Sequence, residues 1–136
     1  SSVMIDRTTL LSLLTAASAC MPVAATSGQA DDLAVSFKFD AASKCSRVSP
    51  EIKVENVPAG TVAFKVRLKD RNVPTWNHGG GKVAHDGSGV IPKGALKEGY
   101  NGPCPPGGSH IYVFTVKAVD ANDEVLAEGE KSQRFP

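Results

Sequence analysis

The sequence predicts an all-β protein, an antiparallel β-sandwich, on three observations. Apolar residues fall at every second position in the runs 33–39, 52–54 and 62–68, which is the period of a strand with one buried face. The runs are short and are divided by turn-forming segments such as Val57-Pro58-Ala59-Gly60 and Asp120-Ala121-Asn122-Asp123. Beyond residue 30 no long stretch places its apolar residues at the 3.6-residue period of a helix. A chain of 136 residues is one domain's worth.

The first thirty residues differ from the rest. A weakly charged start, Met4-Ile5-Asp6-Arg7, leads into an apolar, small-residue run from Leu10 to Ala19. Val23-Ala24-Ala25 and Gly28-Gln29-Ala30 then offer small residues at the spacing read by a signal peptidase. The expectation is an N-terminal signal-like helix over 1–30, cleaved after Ala25 or Ala30, with Ser1-Ser2-Val3 a remnant ahead of the initiator Met4. The apolar run is too short to span a bilayer. The mature domain is then 31–136, in the periplasm or secreted. Ala17-Ser18-Ala19-Cys20 resembles a lipoprotein acceptor site through Cys20, but lacks the leucine three residues before the cysteine. After cleavage Cys45 and Cys104 remain, a disulfide candidate in an exported domain and two thiols in a cytosolic one.

The strands follow in order. Leu33 to Phe39 alternates. Asp40 to Arg47 is polar and turn-like, and Ser49-Pro50 opens the short run Ile52 to Asn56. Thr61 to Lys69 is the clearest strand, with Val62, Phe64, Val66 and Leu68 on one face and Lys65, Arg67 and Lys69 on the other. A cationic face of this kind reads first as the solvated side of an antiparallel sheet. Asp70 to Gly81 lacks periodicity and reads as a long loop; 82–85 is a short strand, and 93–96 at most one helical turn. Ile111 to Val116 is apolar on both parities, which predicts a central strand covered on both faces. Glu124 to Phe135 is polar enough for a last strand at an edge.

Charge and composition exclude some functions. Charged residues make up 21% and the net charge is +1, well short of the basic excess of a nucleic-acid-binding surface. Chemistry-bearing residues gather in two loops: Asp70, Asn72, Trp76 and His78 in one, Tyr100, His110 and Tyr112 around the other. Three prolines and three glycines between Gly102 and Gly108 stiffen the second. If the loops meet at one end of the sandwich, two imidazoles and a carboxylate converge. Gly79-Gly80-Gly81 would add backbone N–H donors for an anion. A phosphate-binding P-loop is excluded, because Gly79-Gly80-Gly81-Lys82 lacks the leading glycine spacing and the following Ser or Thr. Asp70, His78 and His110 lack the tight spacing of a zinc motif, so no metal and no other cofactor is expected. Cys104 with His110 would be a nucleophile and base, a role that a disulfide removes.

These residues form a pattern: Ser49-Pro50 and a strand; Val57-Pro58-Ala59-Gly60-Thr61 and a long strand; Asp70 with Pro74; His78; Gly99-Tyr100-Asn101-Gly102-Pro103-Cys104-Pro105-Pro106-Gly107; and His110-Ile111-Tyr112. The pattern resembles the phosphatidylethanolamine-binding protein family, in particular its small bacterial, Raf kinase inhibitor-like branch, over roughly Leu33 to Asp120. The resemblance implies an antiparallel β-sandwich with a small anion-binding pocket at one end, lined by Asp70, Pro74, His78, Gly102, Pro103, His110 and Tyr112. It also implies a cis Gly102–Pro103 bond. The chain departs from the family at Asn72, an amide where a second carboxylate is usual. It departs again at Gly79, where a tryptophan is usual, and at Ile111, where an arginine is. The segment between the motifs is short, and a hairpin with a final strand replaces the usual C-terminal helix.

The expected function is non-catalytic binding of a small anionic ligand, a phospholipid head group or phosphorylated compound. The alternatives are an envelope protein-interaction module that uses the same loops, with a protein partner and weak membrane association, and a hydrolase using Asp70 and the histidines. Asp70, His78, His110 and Tyr112 are expected around a small open cavity.

Overall fold

Two antiparallel sheets build the molecule. The computed structural model describes residues 32–136, and the expectations for residues 1–30, including the signal peptide and Cys20, lie outside the described residues. The strands are β1 (Ala34–Phe37), β2 (Ile52–Glu55), β3 (Ala63–Asp70), β4 (Asn77–Ala84), β5 (Val90–Ile91), β6 (His110–Val119) and β7 (Val125–Phe135). One sheet has the order β1-β2-β5 and the other β4-β3-β6-β7. A 3₁₀ turn at Ala41–Ser43 lies between β1 and β2.

The core lies between the sheets. Val35, Ile52, Val54 and Ile91 come from the smaller sheet, and Phe64, Val66, Leu68, Phe114, Val116 and Ala118 from the larger. Phe37 packs edge-on against Phe114 at 4.8 Å between ring centroids, a favoured geometry for aromatic pairs. Strand β3 begins one residue later than its alternation suggests, so Val62 is exposed rather than inward-facing.

Strand β6 runs between β3 and β7, and β7 lies at the edge of its sheet, as the sequence implies. The inner face of β6 is covered from Tyr112 onward. On its outer face Val113 is buried, Ile111 and Thr115 are half-buried and Lys117 is exposed, so the double-sided burial expected for this strand is not found. The apolar outer residues cluster at the β6 start, beside the turn that follows β3.

In the segment read as a loop, 71–76 is a turn, but the last part, Asn77 to Gly81, is in fact the start of β4. Its glycines hid the strand, because they carry no side chains from which alternation is read. They are needed for close packing: a Cβ on Gly80 would lie 1.8 Å from the Val66 carbonyl oxygen, and one on Gly79 would lie 2.2 Å from that of Gly99. Neither serves as an anion donor. The Gly79 N–H donates to Asn77 Oδ1 (2.8 Å) and the Gly80 N–H to the Glu98 carbonyl (3.1 Å).

Candidate functional site

Alternation along β3 does not stop at Leu68. Phe64, Val66 and Leu68 face inward, and Asp70, two residues on, faces inward as well and is fully buried. In the β3–β6 ladder Asp70 is directly opposite Tyr112, so both side chains project to the same face. His110, two residues before Tyr112, shares that face. Sheet register alone therefore brings three of the expected residues together.

His78 reaches the group by a different device. Strand β4 pairs Gly80 with Arg67 but Asn77 with Lys69, so it holds one extra residue at that point. Such a bulge re-aims a side chain. Gly79, at φ +73, supplies the left-handed backbone that the bulge requires. His78 is turned inward and fully buried.

The Asp70 carboxylate is the hub. His110 Nδ1 donates to Oδ2 at 2.6 Å, while Oδ1 accepts the N–H groups of Asn72 (2.8 Å) and Val73 (3.1 Å). Burial pushes this carboxyl's pKa up, but the hydrogen bonds from His110, Asn72 and Val73 outweigh burial and hold it below the usual value. Tyr112 stands between the two imidazoles, with His78 edge-on at 5.5 Å and His110 near-parallel at 6.3 Å. Burial, then the Asp70 charge, pushes the Tyr112 hydroxyl up, so the phenol stays protonated.

The second loop is clasped against this group. His78 Nδ1 donates to the Asn101 carbonyl at 2.8 Å, and the Asn101 N–H returns a bond of 2.9 Å to the His78 carbonyl. A carbonyl only accepts, so Nδ1 carries the proton, and Nε2 is left buried without a partner. The Tyr112 hydroxyl is also buried and unpartnered. On the far side, Gly102 donates to the Ser46 carbonyl (2.7 Å) and Pro103 accepts from Cys45 (2.8 Å). The Cys45–Cys104 disulfide, with Cα atoms 4.6 Å apart, fixes the same contact. A Cβ on Gly102 would lie 2.6 Å from the Ser43 carbonyl oxygen, which is why glycine is required there. The expected cis Gly102–Pro103 bond is not found; among the described residues the cis bond is Phe135–Pro136. With both flanking peptide groups bonded to the 45–46 segment, the trans path meets the loop's hydrogen bonds.

Asp70, His78, His110 and Tyr112 thus converge, with Gly102 and Pro103 buried in the loop behind them. Pro74 does not join the buried group. It is exposed on the turn after β3 and borders an outer-face groove with Lys69, Arg71 and Val113. The convergence is not around an open cavity, as expected, because three of the four side chains are fully buried and that of His110 is only 14% exposed. Trp76 covers the group, its ring 4.7 Å from that of His78 and tilted by 33°.

Two residues outside the expected set matter. Asn72 Oδ1 accepts the Ile111 N–H at 2.8 Å, so the amide that departs from the family pattern ties the two motifs together. Asn101 holds His78. Asn72 was singled out in its loop but not for this bond, and the signal for Asn101 was only adjacency to motif residues. Among the described residues no three His, Cys, Asp or Glu side chains are grouped to hold a metal ion.

The profile of the family described as phosphatidylethanolamine-binding protein matches residues 25–134. The chain belongs to this family. Among curated proteins it is 35% identical over 104 residues to the UPF0098 protein YbhB of Escherichia coli, an alignment covering 60% of this chain and 66% of YbhB. A UPF0098 protein of Archaeoglobus fulgidus is 47% identical over 38 residues, 28% of this chain and 12% of that protein. The chain therefore spans just under two thirds of YbhB. Among solved structures, Escherichia coli YbcL, described as a member of the mammalian PEBP family, superposes with a TM-score of 0.58 at 20% identity, over 77% of this chain and 98% of YbcL. CT736 of Chlamydia trachomatis, described as a PEBP homologue, gives 0.53 at 20% identity, over 65% and 81%. These two likenesses concern the fold.

Proposed function

We propose that this family member binds a small anionic ligand, a phospholipid head group or phosphorylated compound, at His110 without turning it over. The observation that carries the reading is the 2.6 Å hydrogen bond from His110 Nδ1 to the fully buried Asp70 carboxylate. It fixes the ring and the tautomer and leaves Nε2 to meet the ligand. With the ring cationic, Nε2 donates to an anion oxygen, a charge-assisted contact stronger than a neutral one. The unpartnered His78 Nε2 and Tyr112 hydroxyl supply further polar contacts, and satisfying them removes the cost of leaving buried polar atoms unpaired.

The state of the candidate nucleophiles supports binding without a covalent step. Cys104 is locked in the disulfide, and the Tyr112 phenol is held protonated by burial and by Asp70. An Asp–His pair with nothing to activate does not form a covalent intermediate. Entry of a ligand requires the cover to move, and Trp76, 37% exposed, is the element on the solvent side. Export to the envelope is part of the proposal, supported by the signal-like segment and the disulfide.

The test is a titration with phosphoethanolamine and inorganic phosphate, followed by NMR, alongside an assay with a generic ester. Saturable shifts at His110 without ester turnover support the proposal. Turnover abolished in His110→Ala establishes a hydrolase. No response from either probe leaves the loop end as a protein-contact surface.

A further inference from the structure

The outer face of the larger sheet carries a feature that the site above does not use. Register places Lys82 of β4, Lys65 of β3 and Lys117 of β6 directly opposite one another, in one row across three strands. Neighbouring strands are about 4.8 Å apart, and like charges directly opposite are destabilising. Lys65 has such a neighbour on both sides. One carboxylate, Asp123, bonds both Lys65 and Lys82. These two bonds hold its pKa below the usual carboxylate range, but a single charge offsets only one of the two cations. Lys117 is opposite Glu128 and Arg67 diagonal to it, yet neither cation has a carboxylate within 4.0 Å among the described residues.

The row borders a concavity. A groove of about 400 Å³ is lined by Lys65, Arg67, Gly81, Lys82, Lys117 and Thr115, with Glu98 also at its wall.

We propose that this groove is a second anion site, which takes a phosphomonoester or equivalent tetrahedral dianion between Lys65, Lys117 and Arg67. A dianion is the occupant that the charges favour. It offsets the repulsion within the row that Asp123 leaves, and its oxygens match the forked donors of Arg67. Thr115, opposite Arg67, adds a hydroxyl. The site is independent of the Asp70–His110 group, which faces the other side of the sheet.

The experiment titrates the full chain with phenyl phosphate at constant ionic strength, following backbone amide resonances, with chloride as control. Wild type and His110→Ala are both expected to show saturable shifts at Arg67, Gly81 and Thr115. Lys117→Gln is expected to bind about tenfold more weakly, the factor for losing one charge-assisted contact worth ~1.4 kcal/mol. Without anion, Lys117→Gln should melt no lower than wild type, because it relieves a like-charge pair, and phenyl phosphate should raise the Tm of wild type more than that of the variant. Shifts confined to residues around His110, shifts matched by chloride, or equal affinity in Lys117→Gln would each overturn the proposal.

Discussion

Asp70→Asn isolates the hub of the site with almost no change in shape. The amide still accepts the Asn72 and Val73 N–H groups through its oxygen, but its other end is a donor and faces His110 Nδ1, so the charged 2.6 Å contact gives way at best to a neutral one with the ring in its other tautomer. A buried hydrogen bond to a charged group contributes about 1.5–3 kcal/mol. Taking about 2 kcal/mol, the melting temperature of a domain of this size should fall by roughly 8–16 °C at neutral pH. The pH dependence sharpens the test. Asp70 has a lower pKa folded than unfolded, so the unfolded chain takes up this proton first as pH falls. Its contribution is therefore complete above about pH 5 and is lost as pH drops through about 4 and below. Thermal unfolding followed by circular dichroism at pH 7 and pH 3 should show a large gap between wild type and variant at pH 7 and a much smaller one at pH 3. Equal melting temperatures at pH 7, or a gap unchanged on acidification, would refute the assignment of a charged Asp70 to the centre of the site.

Three further outcomes are expected. Replacing Cys45 and Cys104 by serine should cost about 4 kcal/mol in denaturant unfolding, because the bond closes a loop of 59 residues and the chain-entropy estimate grows with loop length; an unchanged midpoint would show that the Ser46 and Pro103 backbone bonds suffice. Gly79→Ala should cost about 2 kcal/mol or more and displace His78, since it places a Cβ in a left-handed backbone against the Gly99 carbonyl; a stable variant with wild-type His78 resonances would count against the bulge as the device that aims it. Trp76 is the sole tryptophan, so its emission should change saturably with phosphoethanolamine as it leaves the His78 ring. Trp76→Ala should bind more tightly, by the reciprocal of the open fraction, and an affinity equal to or weaker than wild type would remove the cover role.

The legible parts of the fold were those written in side chains. Strand β3 and the inner face of β6 announced themselves by alternation, and the same parity carried Asp70 and Tyr112 to adjacent places in the site. His78 and His110 stood out as the imidazoles of the two loops, and the resemblance implied the same pair. The first part of strand β4 was illegible because Gly79-Gly80-Gly81 gives no alternation to read, whereas its end, Lys82 to Ala84, was expected as a strand. The reason for those glycines, close approach to the carbonyls of Val66 and Gly99, is tertiary. The same holds for the closure of the site, since nothing local in Trp76-Asn77-His78 says that the bulge will stack the indole on the imidazole. Asn72 looked like a loss of charge and instead bonds the Ile111 N–H. The trans Gly102–Pro103 bond likewise follows from partners in 45–46, more than fifty residues away in the chain.

The most direct test of the central claim is a ¹H–¹⁵N titration of the histidine side chains with phosphoethanolamine, in wild type and in His110→Ala. Saturable shifts of the His110 and His78 rings are expected in wild type, weakened by added salt, with no saturable response of His78 once His110 is removed. Identical titration curves for the two proteins, or a wild-type His110 ring that does not respond, would contradict it.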